Sequence, residues 1–377
     1  MPESERPVPL VDLQAQRRRL EGRIEAAIDR VLAHGQFILG PEVEELEARL
    51  AALSGVPAAV TCSSGTDALL LALMAWEVGP GDAVFVPAFT FAATAEVAAL
   101  VGATPVFADV SPDTFNLDPD SLVAAVEVAT AAGLRPAAVI PVDLFGQPAD
   151  YPAIGKVAAE VGVPVLADGA QSFGASLGGR RVGSLAAATT LSFFPSKPLG
   201  AYGDGGAVLT ADQGLADRLR SLRAHGKGAD RYDHVRIGIN ARLDTLQAAV
   251  LLAKLDVFEA EIAARAEVAQ RYSQLLDGEV GVPRVAETAT SVWAQYTVVV
   301  EGRKAVIAHL GGRGIATAVH YPIPLHRQPA FAGCPTAAPD LEVSQWLAER
   351  VLSLPMHPYL APEEQDRVVA ALREAQA

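Results

Sequence analysis

Short β-rich runs alternate with helical segments from residue 58 onward, and this alternation restricts the class of fold that the chain can adopt. Strands separated by helices pair in parallel, because the chain crosses back over the sheet before each new strand begins. We therefore expect an α/β fold with a mostly parallel central sheet. The predicted strands are Ala83 to Val86, Pro105 to Ala108, Ala137 to Val142, Pro164 to Ala167, Thr189 to Phe194 and Ala207 to Leu209.

Glycine and proline mark the ends of the predicted helices. Leu13 to His34 is one helix-compatible stretch stopped by Gly35, and Gly40-Pro41 opens a helix that ends at Ser54-Gly55. Leu243 to Tyr272 is a long helical stretch, which we expect to lead into a second domain. The elements predicted beyond it are strands at Trp293 to Val300 and Ile315 to Val319, and helices at Lys304 to Gly311, Leu341 to Val351 and Pro362 to Gln376.

Composition limits the functional classes. The 377 residues are 50% hydrophobic, enough for a large domain and a smaller one, and the net charge of −14 with no basic tract argues against nucleic acid or an anionic membrane as the main partner. Two cysteines, Cys62 and Cys334, cannot form a disulfide framework, and we expect Cys62 to be a small buried hydrophobe. With no apolar signal core and no membrane-spanning run, we expect a cytoplasmic protein.

One lysine stands on a predicted loop directly after an apolar, strand-like run. Lys197 lies in Thr190-Leu-Ser-Phe-Phe-Pro-Ser-Lys197-Pro-Leu-Gly200. A lysine forms an imine with a carbonyl when desolvation or neighbouring groups keep its amine neutral, although a lone lysine is usually a solvated cation. Lys197 is therefore a candidate reactive centre that depends on its neighbours.

A carboxylate ends a neighbouring buried run. Asp168 follows Pro164-Val-Leu-Ala, and Gln171 comes three positions later, near enough to reach the same pocket. Asp168 is either a turn-forming or helix-capping residue, or the counter-ion of a buried cation such as the ring nitrogen of pyridoxal phosphate (PLP).

A strand, a hydroxyl-rich turn and an apolar helix follow one another at Ala59 to Leu71. The backbone N–H groups at such a helix start, with the hydroxyls of Ser63, Ser64 and Thr66 beside them, are typical of a phosphate cradle. A simple N-cap by Ser64 or Thr66 is the alternative. Phe89, in Pro87-Ala-Phe-Thr-Phe91, supplies an aromatic ring that can stack on a cofactor.

These candidate groups share one edge of the predicted sheet. Residues 63 to 67, 89, 143 to 147, 168 and 197 all follow the carboxyl ends of strands, where open α/β sheets bind ligands. A basic segment follows at Arg223 to Arg242, with further positive charges at Lys227, Arg231 and Arg236. It suits anionic ligand groups, or else it is an ordinary solvated loop.

Together these strings resemble the DegT/StrS family of PLP-dependent nucleotide-sugar aminotransferases over nearly the whole chain. The resemblance implies a fold-type-I aminotransferase with a large PLP-binding domain at residues 1–255 and a smaller C-terminal α+β domain at residues 256–377. The N-terminal segment 1–35 is then available to pack on the small domain. The matching strings are Ser-Gly-Thr-Asp-Ala-Leu at 64 to 69, Asp168-Gly-Ala-Gln171, Ser192-Phe-Phe-Pro-Ser-Lys197, Gly203-Asp-Gly-Gly206 and Asn240-Ala-Arg-Leu-Asp-Thr-Leu-Gln-Ala-Ala249.

The resemblance implies a role for each residue around the cofactor ring. Lys197 forms the imine with the cofactor and moves protons as general acid and base. Asp168 pairs with the pyridinium nitrogen, Gln171 donates a hydrogen bond to the ring's phenolic oxygen, and Phe89 stacks on the ring. No metal ion is implied.

The resemblance also implies a homodimer with shared active sites. Gly65, Thr66 and Ser192 hold the cofactor phosphate within one subunit. Asn240 reaches the same phosphate from the other subunit.

The implied reaction moves an amino group from an amino acid, commonly L-glutamate, to a keto carbon of a nucleotide-linked sugar in polysaccharide biosynthesis. Strings at 231–240, 292–296 and 320–326 look like those of members that aminate C3 of UDP-2-acetamido-3-keto-glucuronic acid. In such members, the residues matching Arg242, His320 and Tyr321 lie near the sugar carboxylate, which an arginine fork binds well.

Three alternatives remain from the sequence. Similar strings occur in relatives that act on dTDP-linked 3- or 4-keto sugars. A sugar dehydratase is the second alternative. Dehydratases of the family carry histidine where this chain has Lys197, which weighs against that reaction. A PLP-binding regulator generally adds a DNA-binding module, and we expect none here because the family match takes up nearly the whole chain.

Overall fold

The computed structural model describes residues 6–230 and 232–376, which form thirteen α-helices and twelve strands within those ranges. The helices are α1 (Leu13–Arg19), α2 (Arg23–His34), α3 (Pro41–Ser54), α4 (Gly65–Ala75), α5 (Ala93–Leu100), α6 (Pro119–Ala131), α7 (Tyr151–Val161), α8 (Gln213–Leu222), α9 (Thr245–Leu255), α10 (Phe258–Leu276), α11 (Arg303–Gly312), α12 (Glu342–Arg350) and α13 (Pro362–Gln376). The strands are β1 (Ala58–Cys62), β2 (Asp82–Pro87), β3 (Thr104–Ala108), β4 (Arg135–Val139), β5 (Leu166–Asp168), β6 (Ser176–Leu177), β7 (Arg180–Arg181), β8 (Ala188–Ser192), β9 (Gly206–Thr210), β10 (Ala289–Thr290), β11 (Tyr296–Val299) and β12 (Val351–Leu354).

The central sheet is mostly parallel, which confirms the predicted α/β architecture. Four strands lie in the order β1-β9-β8-β5, and three more in the order β3-β2-β4 with parallel pairing. Parallel bridges between Val139 and Val165 and between Val142 and Asp168 connect the two groups. Within the described chain, β9 is the only strand of these two groups that pairs antiparallel with two neighbours, β1 and β8. The segment between β8 and β9 therefore turns back over the carboxyl edge of the sheet, and it carries Lys197.

The strands β1 and β2 are buried along their whole length, because helices cover both faces of the sheet. Ser64 caps α4 by accepting a 3.0 Å hydrogen bond from the backbone N–H of Asp67. Pro41 at the start of α3 and Gly55 at its end place this helix where the sequence predicted it.

Two helices predicted as continuous are broken. The stretch Leu13 to His34 divides into α1 and α2, because Gly22 adopts a left-handed conformation with φ of 79° at the junction. The stretch Leu243 to Tyr272 likewise divides into α9 and α10, with the break at Asp256 and Val257.

The predicted strand at Ile315 to Val319 is wrong. Ile315 forms only an isolated parallel bridge with Val8, and Ala318 forms only an isolated bridge with Ser353. The pairing partners come from opposite ends of the chain, which no local pattern of residues 315–319 reveals.

A separate apolar cluster lies in the C-terminal half. It contains Tyr272 of α10, Tyr296 of β11 and Leu352 of β12, and Val8 from the N-terminal segment packs into it. Helix α2 instead packs against α9 through residues such as Ala27 and Ala249. The domain boundary at residue 255 stays a prediction.

Three further properties concern the described part of the chain. None of its helices is both long and apolar enough to cross a membrane. Its His, Cys, Asp and Glu side chains do not gather into any group of three or more suited to a metal ion. Cys62 is fully buried, as predicted, and neither it nor Cys334 forms a disulfide.

Candidate active site

A cavity of about 450 Å³ opens at the carboxyl edge of the central sheet. Its lining comes from the start of α4, the segment after β2, the end of β5, the segment between β8 and β9, and the loop around residue 320. Most of the residues singled out in the sequence meet here. The predicted residues that line the cavity are Gly65, Thr66, Asp168, Gln171, Ser192, Lys197, His320 and Tyr321.

Lys197 is held on a tight turn after β8. Its backbone N–H donates to the carbonyl of Phe194 at 2.9 Å, and a side chain at Gly200 would clash with the carbonyl oxygen of Pro195. Burial lowers the pKa of the Lys197 ammonium, while the charge of Asp168 opposes this shift. The lowered pKa favours the neutral amine, which is the nucleophilic form.

Asp168 is the last residue of β5 and its carboxylate is buried. The carboxylate accepts hydrogen bonds from Thr94 Oγ1 at 2.9 Å and from the backbone N–H of Ala170 at 3.2 Å. Burial raises the pKa of Asp168, and these hydrogen bonds and the Lys197 charge act in the opposite direction. A buried carboxylate that lines a cavity is suited to pair with a cationic group of a ligand.

The start of α4 has the shape of an anion cradle. The first N–H groups of a helix have no intrahelical acceptor, and those of Gly65 and Thr66 belong to this first turn. A Cβ at Gly65 would lie 2.7 Å from the Cβ of Ser192, so glycine allows β8 to approach the helix start. The N-cap by Ser64 is real, and the remaining backbone donors are still placed to bind an anion.

Gln171 is oriented by the loop after β4. Its Oε1 accepts a 2.7 Å hydrogen bond from the backbone N–H of Phe145. Its Nε2 therefore points away from Phe145 and lies 3.5 Å from the Tyr321 hydroxyl. The Gln171 amide presents a donor on the cavity side.

His320 and Tyr321 close one side of the cavity. The Nδ1 of His320 lies 2.9 Å from Ser353 Oγ, and burial followed by the nearby Lys197 charge lowers the histidine pKa. The Tyr321 ring lies near Phe91, with centroids 6.1 Å apart. The pair therefore combines a neutral imidazole with a phenol on the cavity wall.

The structure separates the two aromatic residues of the segment after β2. Phe89 is 1% exposed, packs in an apolar cluster with Val110 and Leu347, and is absent from the described lining of the cavity. Phe91 is 56% exposed and lines the cavity. The chain bends after Pro87, so strand alternation cannot assign the two rings from the sequence. Of these two rings only Phe91 lines the cavity, and the stacking role of Phe89 stays a prediction.

Asn240 and Arg242 lie outside the described lining of the cavity. Asn240 is exposed, and its Oδ1 accepts a 3.0 Å hydrogen bond from Arg242 Nε. Within one chain, these two residues do not join the other predicted site residues.

The arginines of the basic segment 223–242 lie in different environments, buried or exposed, which the sequence did not indicate. Arg223 is buried and donates to Glu47 Oε1 at 2.6 Å and to the carbonyl of Thr61 at 2.7 Å, so it is not available to an anionic ligand. Arg236 is exposed. Arg231 lies outside the described residues.

Three lining or supporting residues were not predicted. Thr94 holds Asp168, while Thr90 and Gln295 line the cavity. The Thr90 Oγ1 and Gln295 Oε1 atoms are buried and have no hydrogen-bond partner among the described residues. Unsatisfied buried oxygens next to a cavity indicate a site that a polar ligand completes. Both lie in strings quoted in the sequence analysis, Thr90 between Phe89 and Phe91 and Gln295 within 292–296, but neither residue was given a role.

The sequence was compared with known families and proteins. Residues 18–373 match the DegT/DnrJ/EryC1/StrS aminotransferase family. The chain is 50% identical, over 97% of its length and 99% of the relative, to the UDP-2-acetamido-2-deoxy-3-oxo-D-glucuronate aminotransferase of Pseudomonas aeruginosa. It is 44% identical, over 97% of each chain, to the UDP-N-acetyl-3-dehydro-alpha-D-glucosamine 3-aminotransferase of Acidithiobacillus ferrooxidans.

Solved structures agree with these relatives. A DegT/DnrJ/EryC1/StrS aminotransferase from Brucella abortus superposes with a TM-score of 0.96 at 49% identity, covering 97% of this chain and 98% of that one. Neighbours with TM-scores of 0.86 and 0.88 were solved in PLP and pyridoxamine phosphate (PMP) forms.

Proposed function

Because the chain belongs to the DegT/DnrJ/EryC1/StrS aminotransferase family, we propose that it aminates C3 of a UDP-linked 2-acetamido-3-keto-glucuronic acid with L-glutamate as donor. The coarser function is established by the family. The protein is a fold-type-I, PLP-dependent aminotransferase of nucleotide-linked sugars, as the sequence predicted. The observation that carries the finer proposal is the 50% identity, over nearly the full length, to an enzyme of that name.

The residues of the cavity fit PLP. The start of α4 and Ser192 form a cradle for its phosphate, which Gly65 keeps open because a Cβ there would meet Ser192 at 2.7 Å. In this proposal Asp168, which Thr94 holds, pairs with the ring nitrogen, and Gln171, which the Phe145 N–H orients, donates from Nε2 to the ring oxygen. When bound, PLP supplies an aldehyde that takes up an amine and a ring that stabilises negative charge on the adjacent carbon.

Lys197 performs the proton chemistry in this proposal. Its lowered pKa makes the neutral amine available first as nucleophile and then as base, and its ammonium form returns the proton as acid. Asp168 keeps the ring nitrogen protonated. Phe91, which lines the cavity, takes the ring-contact role that the sequence analysis gave to Phe89.

The sugar carboxylate is proposed to meet His320, Tyr321 and Arg242. The first two line the cavity, whereas Arg242 lies outside it in its own chain. A second copy that supplies Arg242 and Asn240 would complete the site, so we propose a homodimer with shared active sites. Exposed apolar side chains at Phe37, Ile38 and Ile237 support this proposal, since a subunit contact would cover them.

We also propose a cytoplasmic enzyme of polysaccharide biosynthesis. Two cysteines without a disulfide and the net charge of −14 are compatible with a reducing compartment and a soluble substrate.

The visible absorbance of the purified protein tests the function. A band of bound PLP should bleach with L-glutamate and return with the 3-keto uronate, and Lys197→Ala should lack this band. The 3-keto N-acetylglucosamine nucleotide, which has no carboxylate, should restore the band more slowly, and dTDP-linked keto sugars should restore it least. Bleaching without recovery by the uronate would contradict the proposed acceptor and leave the aminotransferase assignment intact.

The carboxylate contact is tested separately. Arg242→Ala should raise the KM for the uronate and leave that for L-glutamate unchanged. Arg313→Ala is the matched control, because Arg313 pairs with Glu374 on the surface. Equal KM values for Arg242→Ala and Arg313→Ala would exclude the contact.

A further inference from the structure

A fully buried carboxylate lies behind the cavity and has no role in the reaction described so far. Asp143 follows β4, is 0% exposed, and donates its backbone N–H to the carbonyl of Asp168 at 3.0 Å. Its Oδ1 accepts hydrogen bonds from the backbone N–H of Ala149 at 2.9 Å and from the Tyr151 hydroxyl at 2.7 Å. Its Oδ2 accepts a 2.6 Å hydrogen bond from Ser172 Oγ. Burying a carboxylate is costly, and three donors offset that cost.

These three donors lie on two different parts of the site. Ala149 and Tyr151 close the loop that begins at Asp143, whereas Ser172 directly follows Gln171 in the turn after β5. One carboxylate therefore fastens the Gln171 turn to this loop. The same loop supplies the Phe145 N–H that the Gln171 Oε1 accepts. Gln171 is held from both sides by elements that meet at Asp143.

Removal of this carboxylate would loosen both attachments of Gln171. Ser172 would lose its acceptor, and the loop carrying Phe145 would lose the closure through Ala149 and Tyr151. The amide would then no longer be fixed, and its Nε2 would keep only the 3.5 Å contact with Tyr321 Oη that it already makes. Asp143 itself is absent from the described lining of the cavity, so any effect on the cofactor passes through its neighbours.

We infer that Asp143 is a positioning residue, which holds the Gln171 amide with its N–H directed at the cofactor's ring oxygen. This inference rests on the proposed contact between Gln171 and PLP. A hydrogen bond at the ring oxygen affects the bound chromophore directly, so the absorbance spectrum reports the position of Gln171.

Asp143→Asn is the main variant, because asparagine keeps the shape but offers fewer acceptor sites for the three donors. We expect PLP to bind, the balance of its absorbance bands at fixed pH to change, and the Kd for PLP to rise about 2- to 10-fold, the range of one weakened hydrogen bond. Ser172→Ala removes only the bond nearest Gln171 and should change the spectrum in the same direction.

Asp82→Asn is the matched control for loss of a buried carboxylate. Asp82 is 3% exposed and accepts from the Gly79 N–H at 2.9 Å and from Arg135 Nε at 2.8 Å, at the opposite end of β2 from the cavity. Asp82→Asn should lower the Tm and keep the wild-type spectrum. An Asp143→Asn protein with the wild-type spectrum would show that Asp143 is merely structural and overturn the inference.

A double-mutant cycle with Gln171→Ala tests whether Asp143 affects the spectrum through Gln171. If Asp143 acts through Gln171, Asp143→Asn should change the spectrum of the Gln171→Ala protein no further. An equal change in both backgrounds would overturn the inference and leave the Gln171 contact in place. An unchanged spectrum in Gln171→Ala alone would overturn that contact and the inference with it. A wild-type protein with no PLP band would contradict the assignment of Lys197, a failure of the proposed function itself.

Discussion

Lys254 donates a 2.6 Å hydrogen bond from Nζ to the carbonyl oxygen of Gly200, at the end of the segment that carries Lys197. The lysine is 1% exposed, and its Nζ lies 4.4 Å from the centre of the Tyr202 ring. A buried cation on α9 thus stabilises the loop that carries Lys197.

Lys254 should make stability depend on pH. Burial lowers its pKa to about 8, with Glu261 acting in the opposite direction, from 10.5 when unfolded. Between these values the unfolded chain binds the proton and the folded chain does not, so stability should rise by up to about 3 kcal/mol as pH increases from 8 to 10.5. Chemical denaturation across this pH range should show a smaller rise in the free energy of unfolding for Lys254→Met than for the wild-type protein. Parallel curves for the two proteins would exclude this titration.

Thr94→Val should shift the acid limb of the pH–activity profile to higher pH. The Thr94 hydroxyl lowers the pKa of Asp168, so its loss should raise that pKa further. The kcat/KM profile of the variant measures the shift. Thr94→Ser keeps the hydroxyl and should retain the wild-type profile. An equal shift in both variants would indicate that altered packing, and not loss of the hydroxyl, changes the pKa of Asp168.

Gly65→Ala should weaken cofactor binding. The new Cβ would lie 2.7 Å from the Ser192 Cβ, so either β8 or the start of α4 must move from the phosphate cradle. We expect the Kd for PLP to rise by about tenfold or more, the effect of one or two lost hydrogen bonds to a charged group. Equilibrium titration with PLP measures this Kd.

Gly155→Ala is the matched control for that substitution. Gly155 lies inside α7, and an added Cβ there would meet no atom of another group within 4 Å. Alanine should therefore stabilise the helix by about 1 kcal/mol and leave PLP binding unchanged. Equal PLP affinities for the two alanine variants would contradict the cradle.

Phe91→Ala and Phe89→Ala should separate ring contact from core packing. Phe91 lines the cavity, so its loss should raise the Kd for PLP with little change in Tm. Phe89 is buried in an apolar cluster, so its loss should cost about 3–5 kcal/mol of stability. PLP titration and thermal unfolding of both variants measure the two effects. A larger loss of PLP affinity in Phe89→Ala at temperatures where both are folded would restore the stacking role to Phe89.

Arg223 and Glu47 should behave as one structural unit. Their 2.6 Å ion pair is largely buried beside Thr61, so removal of either partner leaves an uncompensated charge and should cost about 3 kcal/mol or more. Denaturant unfolding measures the free energy of unfolding of Arg223→Met, Glu47→Gln and the double variant. The loss in the double variant should be smaller than the sum of the losses in the two single variants. Additive losses would indicate that the two charges are not coupled.

Much of the fold and of the candidate site followed from local patterns. The alternation of strands and helices, the helix ends at Pro41 and Gly55, and the placing of Gly65, Asp168 and Lys197 after strands depend on neighbouring residues only. Since the carboxyl ends of parallel strands meet at one edge, these residues were expected to share a cavity. Their chemical roles came from the family resemblance and await the experiments above.

The remaining features depend on contacts between distant segments. Arg223 pairs with Glu47 across 176 positions of sequence, and Phe91 faces the cavity because the chain bends after β2. Asp143 joins the turn after β5 to its own loop, a contact that neither segment shows alone. The sequence by itself determined which elements form and which chemical groups stand at their ends, because both depend on short-range pattern. Only the tertiary structure decided which of those groups face the cavity and which are buried in support of it, because burial depends on the packing of segments far apart in the chain.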